Sequence, residues 1–270
     1  MKDKFLIKDQ EYFFNLEAKR EKKITRTVFW DYSGKEMVEG FKWLKNAKKI
    51  LDYGCGTGST LDLYLEVTEN YNAKIIGTDI AENAIEVIQK KYPQHKFYKI
   101  KNNEIPKIKN NSLDSAYLIS VLHHTKNHEE IFNTISKKLK KNGKFFICDL
   151  TSNNPVVNIG RKIFVLMPKF IKNKFDEDLV IDGKIPEKYK VKVDEVIKKL
   201  QKSNFQIIKV GYGHLFFFLV AWLDKFLNMS KFRFFNRFLD LVLKTEDYFL
   251  KFNFFKNKCS LFFIKCVKKN

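Results

Sequence analysis

The sequence predicts an α/β protein: a doubly wound, seven-stranded, mostly parallel sheet with helical insertions covering the pocket. Three observations carry this. From Lys48 onward, five short apolar runs alternate with stretches of helical length, the pattern of a parallel sheet with helices on both faces. Two further apolar runs, Phe205–Tyr212 and Ser260–Val267, bring the strands to seven. One strand-to-helix junction, Gly54-Cys55-Gly56-Thr57-Gly58, is built for a ligand-holding turn.

The elements follow in order. Residues 1–47 read as an N-terminal helical cap. Glu11 to Lys23 and Lys35 to Asn46 are its helices, with Met37, Val38, Phe41 and Leu44 on one face of the second. Phe29-Trp30-Asp31-Tyr32-Ser33-Gly34 between them reads as an aromatic-rich loop. Residues 48–270 form the main domain. Its first five strands are Lys49–Tyr53, Lys74–Thr78, Lys96–Ile100, Ser115–Val121 and Gly143–Asp149. Helices are expected over Ser59–Asn70, Glu82–Lys91, Glu129–Lys140 and Val193–Ser203, with Asn142-Gly143 stopping the third. Two insertions, 151–192 and 213–258, are apolar, basic and expected to be helical. The first contains Val156 to Phe175, with five basic residues and no acid. The second holds 12 of the 27 phenylalanines and lacks Pro, and Gly after Gly213, so two or three unbroken helices are expected.

With 44% apolar residues the chain is not a disordered polar one. Its net charge is +20 and uneven: residues 1–150 hold 27 basic and 20 acidic side chains, residues 151–270 hold 24 and 11. The excess points to an anionic partner near the second half: a membrane surface, a nucleic acid or an acidic small molecule. Of the basic residues 46 are Lys and only 5 are Arg, beside 22 Asn, a mix typical of AT-rich coding bias. Scarce Arg disfavours nucleic acid, where bidentate forks do much of the reading. Cys55, Cys148, Cys259 and Cys266 suggest neither a metal site nor a disulfide framework. Residues 1–23 show no secretory pattern, and the longest apolar run, Leu215 to Leu223, is nine residues where a span needs about 20. A cytoplasmic, reduced protein is expected, with association at a membrane surface left open.

The chemistry is concentrated at the glycine turn. Glycines accept positive φ and let a ligand approach the backbone, and the following helix start offers free N–H groups. The spacing Gly54-x-Gly56-x-Gly58 is not the dinucleotide fingerprint, because Ser59 stands where that pattern needs Gly. Asp79 follows the second apolar run, 21 residues after Gly58. There a carboxylate can accept both ribose hydroxyls of a nucleoside; its alternative role is to cap the next helix.

Leu51-Asp52-Tyr53-Gly54-Cys55-Gly56-Thr57-Gly58 resembles the first motif of the class I S-adenosylmethionine-dependent methyltransferases, and Ile76-Gly77-Thr78-Asp79-Ile80 their second. Asn111-Ser112-Leu113-Asp114 with Ser120-Val121-Leu122-His123-His124 resembles the fourth-strand region of the small-molecule branch, which includes quinone- and sterol-methylating enzymes. Asn142-Gly143-Lys144-Phe145 is similar to the turn before the fifth strand. The resemblance covers residues 45–150. It implies S-adenosylmethionine as cofactor. Asp52, Gly54, Gly56 and Gly58 would form its cradle, Asp79 would hold the ribose and Ile80 would pack on adenine. Ser120 and Val121 would flank it. Where the family often carries an acid after the third strand, this chain has Asn102 and Asn103, either of which could accept from the adenine amino group.

A sulfonium methyl is already activated, so the enzyme aligns the partners and supplies a base where one is needed. His124 is the candidate base, beside His123; His95, His128 and His214 read as packing or surface residues. The Asn/Asp-Pro-Pro-aromatic signature of many amino-group methylating enzymes is absent after the fourth strand, and no RNA-binding module is recognisable. The expected acceptor is therefore oxygen or carbon of a small, hydrophobic or lipid-linked molecule. The alternatives are an RNA methyltransferase, or a catalytically silent cofactor- or lipid-binding protein on the same fold. In segment 213–258, Phe232, Phe235, Phe238, Leu239 and Val242 recur at helical spacing, as a lid helix packed on the core or an interfacial membrane helix requires.

Overall fold

The computed structural model describes the chain except residues 1–5, 8, 20–27, 102–104, 106–107, 152–153, 156–165, 167–184, 187–188, 228, 230, 231, 233, 257 and 270. Its strands are β1 (Leu6–Ile7), β2 (Lys49–Tyr53), β3 (Lys74–Asp79), β4 (Lys96–Lys99), β5 (Leu113–Ile119), β6 (Leu139–Leu150), β7 (Ile185–Pro186), β8 (Phe205–Gly213) and β9 (Leu261–Lys268). Its α-helices are α1 (Gln10–Lys19), α2 (Val28–Leu44), α3 (Ser59–Thr68), α4 (Glu82–Lys91), α5 (His128–Lys138), α6 (Val193–Lys202), α7 (Phe217–Leu227), α8 (Phe235–Phe249) and the short α9 (Asn253–Lys256). Strands β1 and β7 form a separate parallel pair.

Seven strands form one sheet in the order β4-β3-β2-β5-β6-β9-β8. Neighbours from β4 to β6 are parallel, and β9 runs antiparallel to both β6 and β8. The order reverses between β2 and β5, the switch point at which open α/β sheets bind ligands. The central strands are buried on both faces, as their continuous apolar runs require. One face packs Met37, Phe41, Leu44, Leu61, Tyr64 and Ile88 of α2, α3 and α4. The other packs Ile131, Phe132 and Ile135 of α5 with Val196 and Leu200 of α6. Gly40 brings α2 close to the sheet: an added Cβ would lie 2.1 Å from the Phe146 ring.

The seven expected strands are all present, with ends shifted by a few residues. Two expectations are corrected. Residues 29–34 are not a loop but part of α2, which starts at Val28. Tyr32 is fully buried against Val220, Phe235 and Leu239, on a different face of the helix from Met37, Phe41 and Leu44, which pack on the sheet. Burial of one such ring contributes roughly 1.5–3 kcal/mol, against about 1 kcal/mol lost by placing Gly34 in a helix. The third helix of the main domain stops at Lys138 rather than at Asn142-Gly143, and Asn142 instead takes φ +60° within β6. The insertion 213–258 folds as α7, α8 and α9. The basic run Val156 to Phe175 lies almost wholly outside the described residues.

Candidate active site

The turn after β2 is tied to the neighbouring strand: the N–H groups of Gly54 and Cys55 both donate to the Thr78 carbonyl, at 2.7 and 3.0 Å. Gly54, Gly56 and Gly58 have φ of +81°, +49° and +97°, a region L side chains enter at a cost. The two inner glycines serve different ends. A Cβ on Gly54 would sit 2.2 Å from Cγ2 of Val121, so Val121 occupies that space. A Cβ on Gly56 would meet no atom within 4 Å. The loop is therefore closed by protein at Gly54 and open at Gly56.

Asp79, at the end of β3, accepts from Gly56 N–H at 2.9 Å through Oδ2 and from Ala81 N–H at 2.9 Å through Oδ1. It braces the glycine turn rather than capping the third or fourth residue of α4. Burial pushes its carboxyl up, and the N–H groups of Ala81, Gly56 and Ile80 pull it back. A carboxylate has about four lone-pair positions, so acceptor capacity remains for a ligand. Ile80 is half-buried beside it. Asp52 lies beneath the turn, 1% exposed, accepting from the Tyr117 hydroxyl at 2.9 Å. Burial raises its carboxyl to about 7; the Tyr117 bond lowers it and the charge of Asp79 raises it. Asn102 and Asn103 lie outside the described residues.

The segment after β5 faces this turn. Ser120 adopts φ +58° and donates its N–H to the Cys148 carbonyl at 2.9 Å. Leu122–His124 form a 3-10 turn pinned by Asp149 at the end of β6. Asp149 accepts from Leu122 N–H at 2.6 Å through Oδ2, and from His123 Nδ1–H at 2.5 Å through Oδ1. The Asp149 side chain is fully buried and that of His123 is 7% exposed. The carbonyl of His123 accepts from Tyr189 N–H at 2.8 Å. His124 packs edge-on against Phe14 of α1, with ring centroids 5.0 Å apart. His128 is buried with Nε2 at 2.9 Å from the Leu122 carbonyl, so it supports the turn, and burial lowers its pKa.

Helix α1 spans from α4 to this turn. Asn15 accepts from Asn83 N–H at 2.9 Å, Glu11 pairs with Lys99 at 2.6 Å, and Phe14 packs on Ala18, Ala81 and Ala84. The structure thus brings Gly54, Gly56, Gly58, Asp79, Ile80, Ser120 and Val121 to one end of the sheet. The pairing of Asp149 with His123 was not legible in the sequence. The two residues are 26 positions apart, and only the adjacency of β5 and β6 joins them.

The cradle fits a nucleoside sulfonium: the turn is open at Gly56, and the Asp79 carboxylate stands at its side. Fold and site together are those of a class I S-adenosylmethionine-dependent methyltransferase domain. A methyltransferase-domain family model matches residues 44–195, more than half of the chain, and the chain belongs to that family. Among curated proteins it is 28% identical over 246 residues to an uncharacterized protein of Methanocaldococcus jannaschii, covering 87% of this chain and 90% of that one. Two shorter matches at 30% identity have different acceptors in their names. One is a sterol 4-C-methyltransferase of Caenorhabditis elegans (38% of this chain, 31% of that protein). The other is a tRNA N(3)-methylcytidine methyltransferase of Schizosaccharomyces pombe (33% and 29%). The chain spans 40% and 57% of the length of two further relatives, from Schizosaccharomyces pombe and Haemophilus influenzae. A crystal structure described as a putative S-adenosylmethionine-dependent methyltransferase of Listeria monocytogenes shares the fold, with TM-score 0.55 at 17% identity over 87% of this chain and 96% of that one.

Proposed function

We propose that this enzyme transfers the methyl group of S-adenosylmethionine to oxygen or carbon of a small hydrophobic or lipid-linked acceptor. The observation that carries this reading is the His123–Asp149 pair beside the cofactor turn. An O–H or C–H acceptor must lose a proton as it gains a methyl group. An imidazole whose Nδ1–H is held by a carboxylate presents Nε2 as the acceptor for that proton. His123 meets this requirement; His124, the imidazole favoured by the sequence, is the second candidate and packs on Phe14. Asp52, Gly54, Gly56, Gly58, Asp79 and Ile80 would hold the cofactor, with Ser120 and Val121 beside it. The cofactor supplies the activated methyl; the chain orients it, excludes water and takes the proton.

The sterol-methylating relative and the lack of an Asn/Asp-Pro-Pro-aromatic signature after β5 support an oxygen or carbon acceptor. The tRNA-methylating relative and the charge of +20 favour an RNA acceptor as the second reading. Incubation with methyl-labelled S-adenosylmethionine, a total lipid extract and total RNA separates them. Label in the organic phase, on oxygen or carbon by mass spectrometry, is the expected result. Label confined to RNA, or to a nitrogen, overturns the proposal.

A further inference from the structure

We propose that the surface formed by the end of α8 and by α9 is a docking face for an anionic lipid bilayer. Among the described residues, eight of the thirteen exposed large apolar side chains lie between Leu219 and Phe254. Scattered exposed apolar residues need no explanation, but contiguous ones do. These are contiguous at one place. Tyr248, Phe249, Phe255 and Phe254 form an unbroken chain of edge-to-face rings with centroids 5.8, 4.9 and 5.2 Å apart. Phe252 joins Tyr248 at 5.8 Å. Phe249 and Phe255 are half-buried and form the base. Tyr248, Phe252 and Phe254 stand out from it at 58%, 50% and 68% exposure.

The charges around these rings identify the occupant. Residues 248–258 contain three lysines and no acid. The ammonium of Lys251 lies 5.7 Å from the Tyr248 ring centroid, and that of Lys258 lies 5.4 Å from the Phe254 centroid. The acids just before the patch are turned elsewhere. Glu246 is 2% exposed and bonded to Tyr32 and to the backbone of residues 214–216. Asp247 pairs with Lys35 of α2. Aromatic tips with lysines at their edge, and no carboxylate within residues 248–258, match the boundary between acyl chains and anionic headgroups. Protein interfaces are instead depleted in Lys relative to the rest of the surface, whereas the charged residues edging this patch are lysines alone.

The location gives the face a purpose. Leu261, the first residue of β9, pairs with Leu150, the last of β6. The patch just before β9 therefore lies at the end of the sheet where β2, β3 and β5 deliver the cofactor turn, Asp79 and His123. Docking would turn that end toward the lipid. This proposal does not depend on the methyl-transfer reading: the face could bind vesicles in a protein that methylates something else.

The test is co-sedimentation of the full chain with phosphatidylcholine vesicles, with and without phosphatidylglycerol. Binding to the anionic vesicles at low salt, falling as salt rises, is expected. Phe252→Ser with Phe254→Ser should weaken it more than tenfold. Lys251→Glu with Lys258→Glu should remove the preference for anionic lipid, since each lysine near such a surface is worth about fivefold in partitioning. Lys251, Phe252 and Phe254 are exposed and Lys258 is half-buried at the edge of the patch, so melting temperature and cofactor binding by calorimetry should match the wild type. A Phe254→Trp variant should show blue-shifted emission on vesicles beyond the wild-type change. Wild-type protein left in the supernatant, undiminished binding by the variants, or emission of the Phe254→Trp variant that shifts no more than the wild type overturns the proposal. So does a dimer in sedimentation velocity that Phe252→Ser with Phe254→Ser dissociates, because the face would then cover a second copy. Loss of cofactor binding with vesicle binding intact would count against the methyl-transfer reading alone.

Discussion

Nδ1 of His123 and Oδ1 of Asp149 are 2.5 Å apart, and both side chains are buried at the junction of β5 and β6. Asp149 also holds the N–H groups of Leu122 and Leu150, at 2.6 Å each. One carboxylate thus fixes the turn that carries the imidazole and the tautomer of the ring. His123→Ala should reduce methyl transfer by about 10²–10⁴-fold, the range for a lost general base, with cofactor affinity unchanged. His124→Ala should cost less. Proton NMR gives a readout without any acceptor: a low-field Nδ1–H resonance is expected in the wild type and in His124→Ala, and should vanish in Asp149→Asn. A resonance that survives Asp149→Asn rejects the pairing as the source.

Asp79→Ala should weaken S-adenosylmethionine binding by about 1.5–3 kcal/mol, the usual value of hydrogen bonds to a charged group. It should also loosen the glycine turn, because Gly56 N–H loses its partner. Isothermal calorimetry with S-adenosylmethionine and NAD decides this. Tight NAD binding with no response to the sulfonium cofactor contradicts the assignment.

The glycines should separate by effect. In Gly56→Val the new side chain enters open space, so the domain stays folded with a strain of about 1–2 kcal/mol and cofactor binding is abolished. In Gly54→Ala the Cβ meets Val121, so stability itself should fall. Thermal melts and calorimetry on both variants check the contrast. Normal cofactor binding by Gly56→Val moves the cofactor elsewhere.

Stability should decline between about pH 6.5 and 8. Burial raises the Glu36 carboxyl to about 8, with Glu246 adding to the rise. A raised acid stabilises the fold below its unfolded pKa, and that contribution is lost as pH climbs through its folded value. Buried His214, lowered to about 3, acts oppositely between there and its unfolded value near 6.5. Below pH 6.5 His214 offsets only one of two raised acids, Glu36 and Asp52, the latter raised to about 7, so the fall is shallower there; above it Glu36 and Asp52 act without that opposition. Urea midpoints across this range should fall, and Glu36→Gln should flatten the slope. A flat wild-type profile disproves the account.

The sequence by itself determined the strands, their alternation with helices and the cofactor turn. These are local features: apolar runs of strand length, glycines at fixed spacing, and an acid closing the next strand. Each can be read within a dozen residues because each depends on backbone conformation or on one element's own face. It also placed helices in 213–258, from the absence of breakers. Tertiary structure decided the rest. It drew residues 29–34 into a helix because Tyr32 found a buried place beside Val220, Phe235 and Leu239. It paired His123 with Asp149, and Asp52 with Tyr117, because β5 lies between β2 and β6. It turned Glu246 inward onto Tyr32 while leaving Tyr248, Phe252 and Phe254 outside. Hydropathy along the chain points the other way, since Glu246 is charged and the three rings are aromatic. Which of them is buried depends on what α2 and β8 present to α8, and that is settled only when distant elements meet.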